Sequence, residues 1–448
     1  MVLLLALEAS AVAQEVVFSP GVSLSSTATS NRDQLPSGQE IAEVFATVQG
    51  GAGVGVRGSR WALLSQYLFV INQPVAQPGL DQAVDLTPQR DHRVDARLLW
   101  QATERLQLEL GGQFFVGLNT FRFIEAGGAG LQDQDGAAQA AVSPVLTTRN
   151  RFMSFEGGLG GSLQLTARDV ISLRGELGMR RDFAAEIDQD EVTLAFGDAF
   201  AQDRDTLSLG LRLEWQRQLG QGWDGGLAFE NTAAAFGGIG LVTRIYRLEL
   251  STRKTLSEVW SVQAGTGGAV TITKPFGVVD PALVNDDPIL TGLVSVGTTA
   301  QWQRWGLGLG FERGVIDSGE VGQVLLADVV RGDVTYRYDR RFAMRAQGSF
   351  GLAQDSFSPQ DQQDSPLWTY ATGASLLVGV LDWLDFNASY NFIGQFQAES
   401  DAQQQNVVNA ANVGAIAVHS FLLGFSARAD FSPAGRLPDE SVQGLVSP

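Results

Sequence analysis

The 448-residue chain has a net charge of −18, no cysteine and only two histidines, His92 and His419. These counts exclude a disulfide framework and a thiolate site, leave too little imidazole for a histidine metal cluster or catalytic triad, and argue against nucleic acid as a partner, which needs clustered Lys and Arg. No run of about 18 apolar residues occurs, so no transmembrane helix is expected; a β-strand crosses a bilayer with only about 9–11 residues and one apolar side.

In chain order, Val2 to Leu7 form a short apolar core, and Ala11-Val12-Ala13 is an A-x-A cleavage pattern before Gln14. Residues 1–13 are therefore expected to be a signal peptide, although a basic leading region is missing and Glu8 is unusual in such a segment. From residue 15 onward the apolar period is two. Met153, Phe155, Gly157, Leu159, Gly161 and Leu163 share one face, with Ser154, Glu156, Gly158, Gly160 and Ser162 on the other. Further on, Leu207, Leu209, Leu211, Leu213 and Trp215 alternate with Ser208, Gly210, Arg212, Glu214 and Gln216. This is the pattern of strands with one apolar side. It predicts strands at 16–29, 40–57, 60–73, 91–103, 106–119, 149–167, 170–183, 205–219 and 223–236. The second half continues at 241–254, 259–274, 289–302, 305–316, 321–338, 341–353, 366–381, 384–397 and 411–431. Short turns near 58, 104, 168, 221, 256, 303, 339 and 382 alternate with connections that are mostly longer, the longest being 120–148. Short turns on one rim and longer loops on the other are the outer-membrane barrel pattern. The last strand keeps one parity from Val413 to Phe431, which gives 18 strands; 16 is the alternative.

Alternation alone does not separate a barrel in lipid from a soluble sandwich. Three features favour lipid. Trp61, Trp100, Trp215, Trp223, Trp260, Trp302, Trp305 and Trp383 lie near short turns, and only Trp368 near a long loop, as a girdle at one membrane interface requires. Asn231, Arg244, Arg313 and Asp328, which break the apolar face, lie about nine or more residues from their short turns, away from the bilayer centre. The opposite face is too charged for a dry interior. Arg174 with Glu176, Arg212 with Glu214, and Arg247 with Glu249 recur at i, i+2, and Arg331, Asp333 and Arg337 continue the series. These nine residues are the expected lumen lining.

No catalytic constellation is expected. His419 has outward parity, with Ala417 and Phe421 rather than Ser at i±2, and His92 reads as a solvated rim residue beside Asp91 and Arg93. Acidic loops such as 182–205 read as a solvated rim rather than a metal site, and no cofactor is implied. Gly50-Gly51-Ala52-Gly53 lies mid-strand with no following helix, unlike a phosphate loop.

The opening Phe18-Ser19-Pro20-Gly21-Val22-Ser23-Leu24, the strand pair around Val56-Arg57-Gly58-Ser59-Arg60-Trp61 and the hairpin pattern along nearly the whole chain resemble β-barrel porin-type outer-membrane proteins of Gram-negative bacteria. Some members of that group with about 18 strands resemble outer-membrane conduits of exopolysaccharide secretion systems. The resemblance implies an all-β fold, a single antiparallel up-and-down barrel over 14–431 followed by a polar tail, 432–448, in the bacterial outer membrane. It also implies that Phe431 is the aromatic signal for outer-membrane assembly machinery. The expected function is a passive, porin-like conduit for hydrophilic solute, with polysaccharide export as its finer form. The expected partners are outer-membrane lipid and lipopolysaccharide, the assembly machinery, and the solute. A closed structural or adhesive barrel working through acidic loops, and a barrel enzyme, are the alternatives.

Overall fold

The computed structural model describes residues 15–30, 42–76, 88–118, 151–183, 205–236, 241–275, 287–317, 324–339, 341–355, 367–397 and 416–428. The expected signal peptide, loop 120–148, most of the acidic loops, Phe431 and the tail lie outside these residues. So do the ends of several expected strands, such as 411–415.

The described residues form 18 strands and no helix. They are β1 (Glu15–Thr29), β2 (Glu43–Arg57), β3 (Trp61–Ala76), β4 (Gln89–Gln101), β5 (Leu106–Leu118), β6 (Arg151–Gln164), β7 (Asp169–Phe183), β8 (Thr206–Gly220) and β9 (Trp223–Phe236). The chain continues through β10 (Leu241–Thr255), β11 (Trp260–Pro275), β12 (Ile289–Gln301), β13 (Trp305–Asp317), β14 (Val324–Arg337), β15 (Phe342–Asp355), β16 (Leu367–Leu381), β17 (Leu384–Gln397) and β18 (Ile416–Arg428). Each strand pairs antiparallel with its neighbours in sequence, and β18 closes on β1 from Gly21↔Arg428 to Thr29↔Ser420. Closure gives every strand a partner on both sides, the condition for β-structure to sit in hydrocarbon. The even count puts the start of β1 and the end of β18 on the rim that carries the short turns.

Five of the eight short turns are closed by their own side chain or by glycine. Thr103 Oγ1 accepts the backbone N–H groups of Arg105 and Leu106, Ser257 Oγ those of Val259 and Trp260, and Asp339 Oδ1 those of Arg341 and Phe342. Thr166 Oγ1 does the same for Arg168 and Asp169, and donates to the Asp169 carboxylate. A short side chain closing its own turn fixes the register of the hairpin that follows. At 221–222 the two-residue turn instead needs Gly222, whose φ of 66° other residues rarely adopt.

Directly paired residues point to the same side of the wall, so register fixes which side is which. One row runs Leu173, Leu213, Phe229, Leu248 on the outside; the adjacent row runs Arg174, Arg212, Glu230, Arg247 on the inside. Leu159 (62 %), Leu209 (53 %), Leu248 (54 %) and Phe425 (50 %) are half or more exposed on the outer wall. A monomer in water rarely presents apolar surface as a continuous band of this kind. Trp61, Trp100, Trp215, Trp223, Trp260 and Trp305 face outward, and with Trp302 and Trp383 in turns they ring the short-turn end. Lys254 Nζ sits 4.6 Å above the Trp223 ring, a cation held at the same interface. Asn231, Arg244, Arg313 and Asp328 also face outward, and Arg313 pairs with Asp328 at 3.8 Å.

Candidate functional site

The inner wall is the candidate site. All nine residues expected to line the lumen have inward register: Arg174, Glu176, Arg212, Glu214, Arg247, Glu249, Arg331, Asp333 and Arg337. Within strands, Arg174 Nε lies 2.6 Å from Glu176 Oε1 and Arg212 Nε lies 3.3 Å from Glu214 Oε2. Across strands the network centres on Glu230, whose two oxygens take Arg212 Nη1 and Arg247 Nη1, each at 3.1 Å. Arg174 and Arg212 stand directly opposite each other in register. Two like charges there repel, and the carboxylates of Glu176, Glu214 and Glu230 around them offset that repulsion. The series extends to β4 and β5, where Arg93 meets Asp95 at 2.9 Å and Arg97 meets Glu109 at 2.8 Å. On the far side Arg331 lies 3.7 Å from Glu312. Much of this network is open to solvent, with Arg174 at 67 % and Glu176 at 56 % side-chain exposure, as in a water-filled space.

The rest of the inner wall is less charged: Glu15, Glu43, Arg57 and Asp385 face inward there, and apolar Leu68, Leu377, Ile393 and Val418 stand among polar side chains. From β16 through β18 and on to β3 the inward positions include Ser375, Asn387, Ser389, Asn391, Ser420, Ser23, Ser25, Thr27, Thr47, Gln49, Gln66 and Asn72. Thr47 donates to Asn72 at 2.7 Å and Ser23 to Gln49 at 3.5 Å. Hydroxyls and amides both donate and accept hydrogen bonds, so this arc can bind polyols and water alike.

One element departs from the regular wall. β12 and β13 pair only between Gln301↔Gly306 and Val294↔Arg313, although both strands continue toward the long-loop rim. Beyond Arg313, β13 stays paired with β14 but leaves β12. Val315 has the outward parity of Phe311 and Arg313, yet packs with the inward-facing Ile245, Ala269 and Leu293, all nearly fully buried. Arg247, bonded to Glu230 through Nη1, donates through Nη2 to the Val315 carbonyl oxygen. A side chain on β10 reaches β13, three strands along, only if the end of the β13–β14 hairpin leans in over β11 and β12. Among the described residues, this hairpin end lies over the inner wall of β10 to β12.

Sequence reasoning missed three features. Glu230 and Glu312 show the right parity but no i, i+2 partner of opposite charge, the spacing that singled out the other charges. The inward lean of β13 has no signal in the local pattern. Its cause lies in Ile245 and Leu293, apolar residues on the water side that need cover. The histidines have partners that were not foreseen: His92 is exposed and faces outward near the long-loop end of β4, and its Nδ1 is 2.9 Å from Tyr67 Oη. His419 Nδ1 is likewise 2.9 Å from Tyr390 Oη, and Ser30 Oγ touches only its backbone N–H. Among the described residues no group of three or more His, Asp or Glu is placed to hold a metal.

A closed wall that is apolar and exposed outside, lined with solvent-open charges inside, and ringed by Trp at one rim has one solvent arrangement that fits it: hydrocarbon outside and water within. The chain folds as a closed 18-strand transmembrane β-barrel. No protein-family model and no curated protein matches it. Among solved structures it is similar to the FrpB iron transporter of Neisseria meningitidis in its apoprotein form, at 9 % identity over 92 % of this chain and 81 % of that one, TM-score 0.48. It is also similar to the outer membrane protein OpdK of Pseudomonas aeruginosa, at 9 % identity over 92 % and 99 %, TM-score 0.46. A third is OccAB4 of Acinetobacter baumannii, at 11 % identity over 94 % and 99 %, TM-score 0.47.

Proposed function

We propose that the barrel is a passive conduit for hydrophilic solute, and that its cargo is polyhydroxylated, a polysaccharide chain passing through the outer membrane. The observation that carries this reading is the division of the inner wall into two arcs. On one arc Arg and Glu neutralise each other in pairs, which leaves little net field to select ions. On the other, Ser, Thr, Asn and Gln offer interchangeable donors and acceptors, which a sliding sugar can exchange without a deep binding minimum. Barrels of 16–18 strands are wide enough to keep an aqueous channel. Transport on this reading needs no catalytic step. The working partners are the solute, the surrounding lipid and the machinery that inserts the barrel.

The test is single-channel recording in planar bilayers with and without added oligosaccharide. We expect discrete current steps with weak ion selectivity that neutral oligosaccharide transiently blocks. A folded barrel that passes no current, both as wild type and with the β13–β14 hairpin end loosened by Val315→Gly, would end the conduit reading. A current indifferent to oligosaccharide would end its polysaccharide form.

A further inference from the structure

The only two histidines of the chain occupy equivalent places on the outer wall. On β3 and β4, Tyr67 Oη meets His92 Nδ1 at 2.9 Å, with Phe69 directly opposite His92. On β17 and β18, Tyr390 Oη meets His419 Nδ1 at 2.9 Å, with Phe392 directly opposite His419. In both, the upward strand carries Tyr-x-Phe and the downward strand carries the histidine. His92 is eight residues above Trp100, and Tyr390 is seven above Trp383. At about 2.6 Å of height per tilted strand residue, both pairs sit about 20 Å above the Trp ring, near the upper edge of an apolar band about 25 Å tall. That is the headgroup level of the outer leaflet.

We propose that the two Tyr–His pairs bind the phosphorylated headgroup of an outer-leaflet glycolipid. The pairing fixes a donor whichever proton arrangement holds. If the tyrosine O–H donates to Nδ1, the neutral ring carries its proton on Nε2. If Nδ1–H donates to the tyrosine oxygen, the phenol O–H is released. Either way one N–H or O–H per pair is left for an acceptor outside the wall. The surrounding charge fits an anion. Arg90, exposed, lies two residues above His92 on the same face. Across β17, β18, β1, β2, β3 and β4, every carboxylate among the described residues has inward register, so the described outer wall of this sector carries no carboxylate in a chain whose net charge is −18. Between the pairs, Leu24 and Val48 offer apolar surface to acyl chains, with small Ser26, Ala28 and Ala46 above them. Binding here depends on the outer wall facing lipid, not on what passes through the lumen.

The probe is diphosphorylated lipid A, added to the folded barrel in detergent and followed by native mass spectrometry, with dephosphorylated lipid A as the comparison. Wild type is expected to retain the phosphorylated lipid in preference to the dephosphorylated one. His92→Phe and His419→Phe, and separately Tyr67→Phe and Tyr390→Phe, are each expected to weaken retention about tenfold per pair, the effect of one hydrogen bond to a charged group. The Tyr→Phe set keeps every ring in place, so it reads the site even if the histidine variants fold poorly. Equal retention of the two lipids, or undiminished retention in both variant sets, would overturn the proposal. Channel conductance of the same samples is expected to be unchanged, which separates failure of this site from failure of the conduit reading.

Discussion

Replacing Leu309 with Arg places a cation on the outer wall where the bilayer is driest. Leu309 is 56 % exposed, faces outward, and lies four residues above Trp305 on the same strand. That is a height of about 10 Å, close to the middle of the apolar band. Its cross-strand partners, Thr298 and Gly332, offer no carboxylate. A midplane Arg on a barrel's lipid face costs about 2–4 kcal/mol, so the folding constant should fall roughly 30- to 700-fold at 1.4 kcal/mol per decade. The matched substitution is Thr299→Arg on β12. Thr299 is exposed to the lumen and opposite Gly308, with Asp333 next in the row. It loses one hydroxyl contact to Ser261, and its cost should stay within about 1 kcal/mol. Guanidinium titrations of refolding into vesicles, followed by Trp fluorescence, measure both. Equal destabilisation by the two arginines, or none by Leu309→Arg, would refute the assignment of the two sides.

Two further outcomes follow from the lumen. Glu230→Gln leaves Arg212 with only Glu214 and Arg247 with a neutral partner. Reversal potentials in a salt gradient should shift toward anion preference at 0.01 M and lose the shift at 1 M, where the Debye length falls to about 3 Å. Val315→Asp buries a carboxylate against Ile245, Ala269 and Leu293, so the hairpin end should leave the inner wall. Single-channel conductance should rise, and an unchanged conductance would show that the β13–β14 end does not limit flow.

The number and order of the strands are legible in the sequence because each strand serves two solvents, and a period of two records that directly. The match between expected 223–236 and 384–397 and observed β9 and β17 reflects clear alternation between turn signals at both ends. The inward register of Arg174, Glu176, Arg212 and Glu214 follows from parity alone. Cross-strand partnership does not, because which residue of β9 stands beside Arg212 depends on register summed over the closed ring; Glu230 became visible only there. The lean of β13 is less legible still. Val315 continues the outward parity of its strand, and its burial comes from a gap with β12 that no local pattern encodes. The Tyr–His pairs escaped for a similar reason, since each joins residues 25 or 29 apart.

Because the chain has no cysteine, single cysteines can be placed one at a time from 207 to 214 on β8 and spin-labelled in vesicles. Relaxation by oxygen, which partitions into lipid, and by a water-soluble nickel chelate reads the solvent at each site. Labels at Leu207, Leu209, Leu211 and Leu213 should respond to oxygen, and labels at Ser208, Gly210, Arg212 and Glu214 to the chelate, alternating without a break. A profile without alternation, or one with the chelate reaching the leucine positions, would contradict a wall with hydrocarbon outside and water inside.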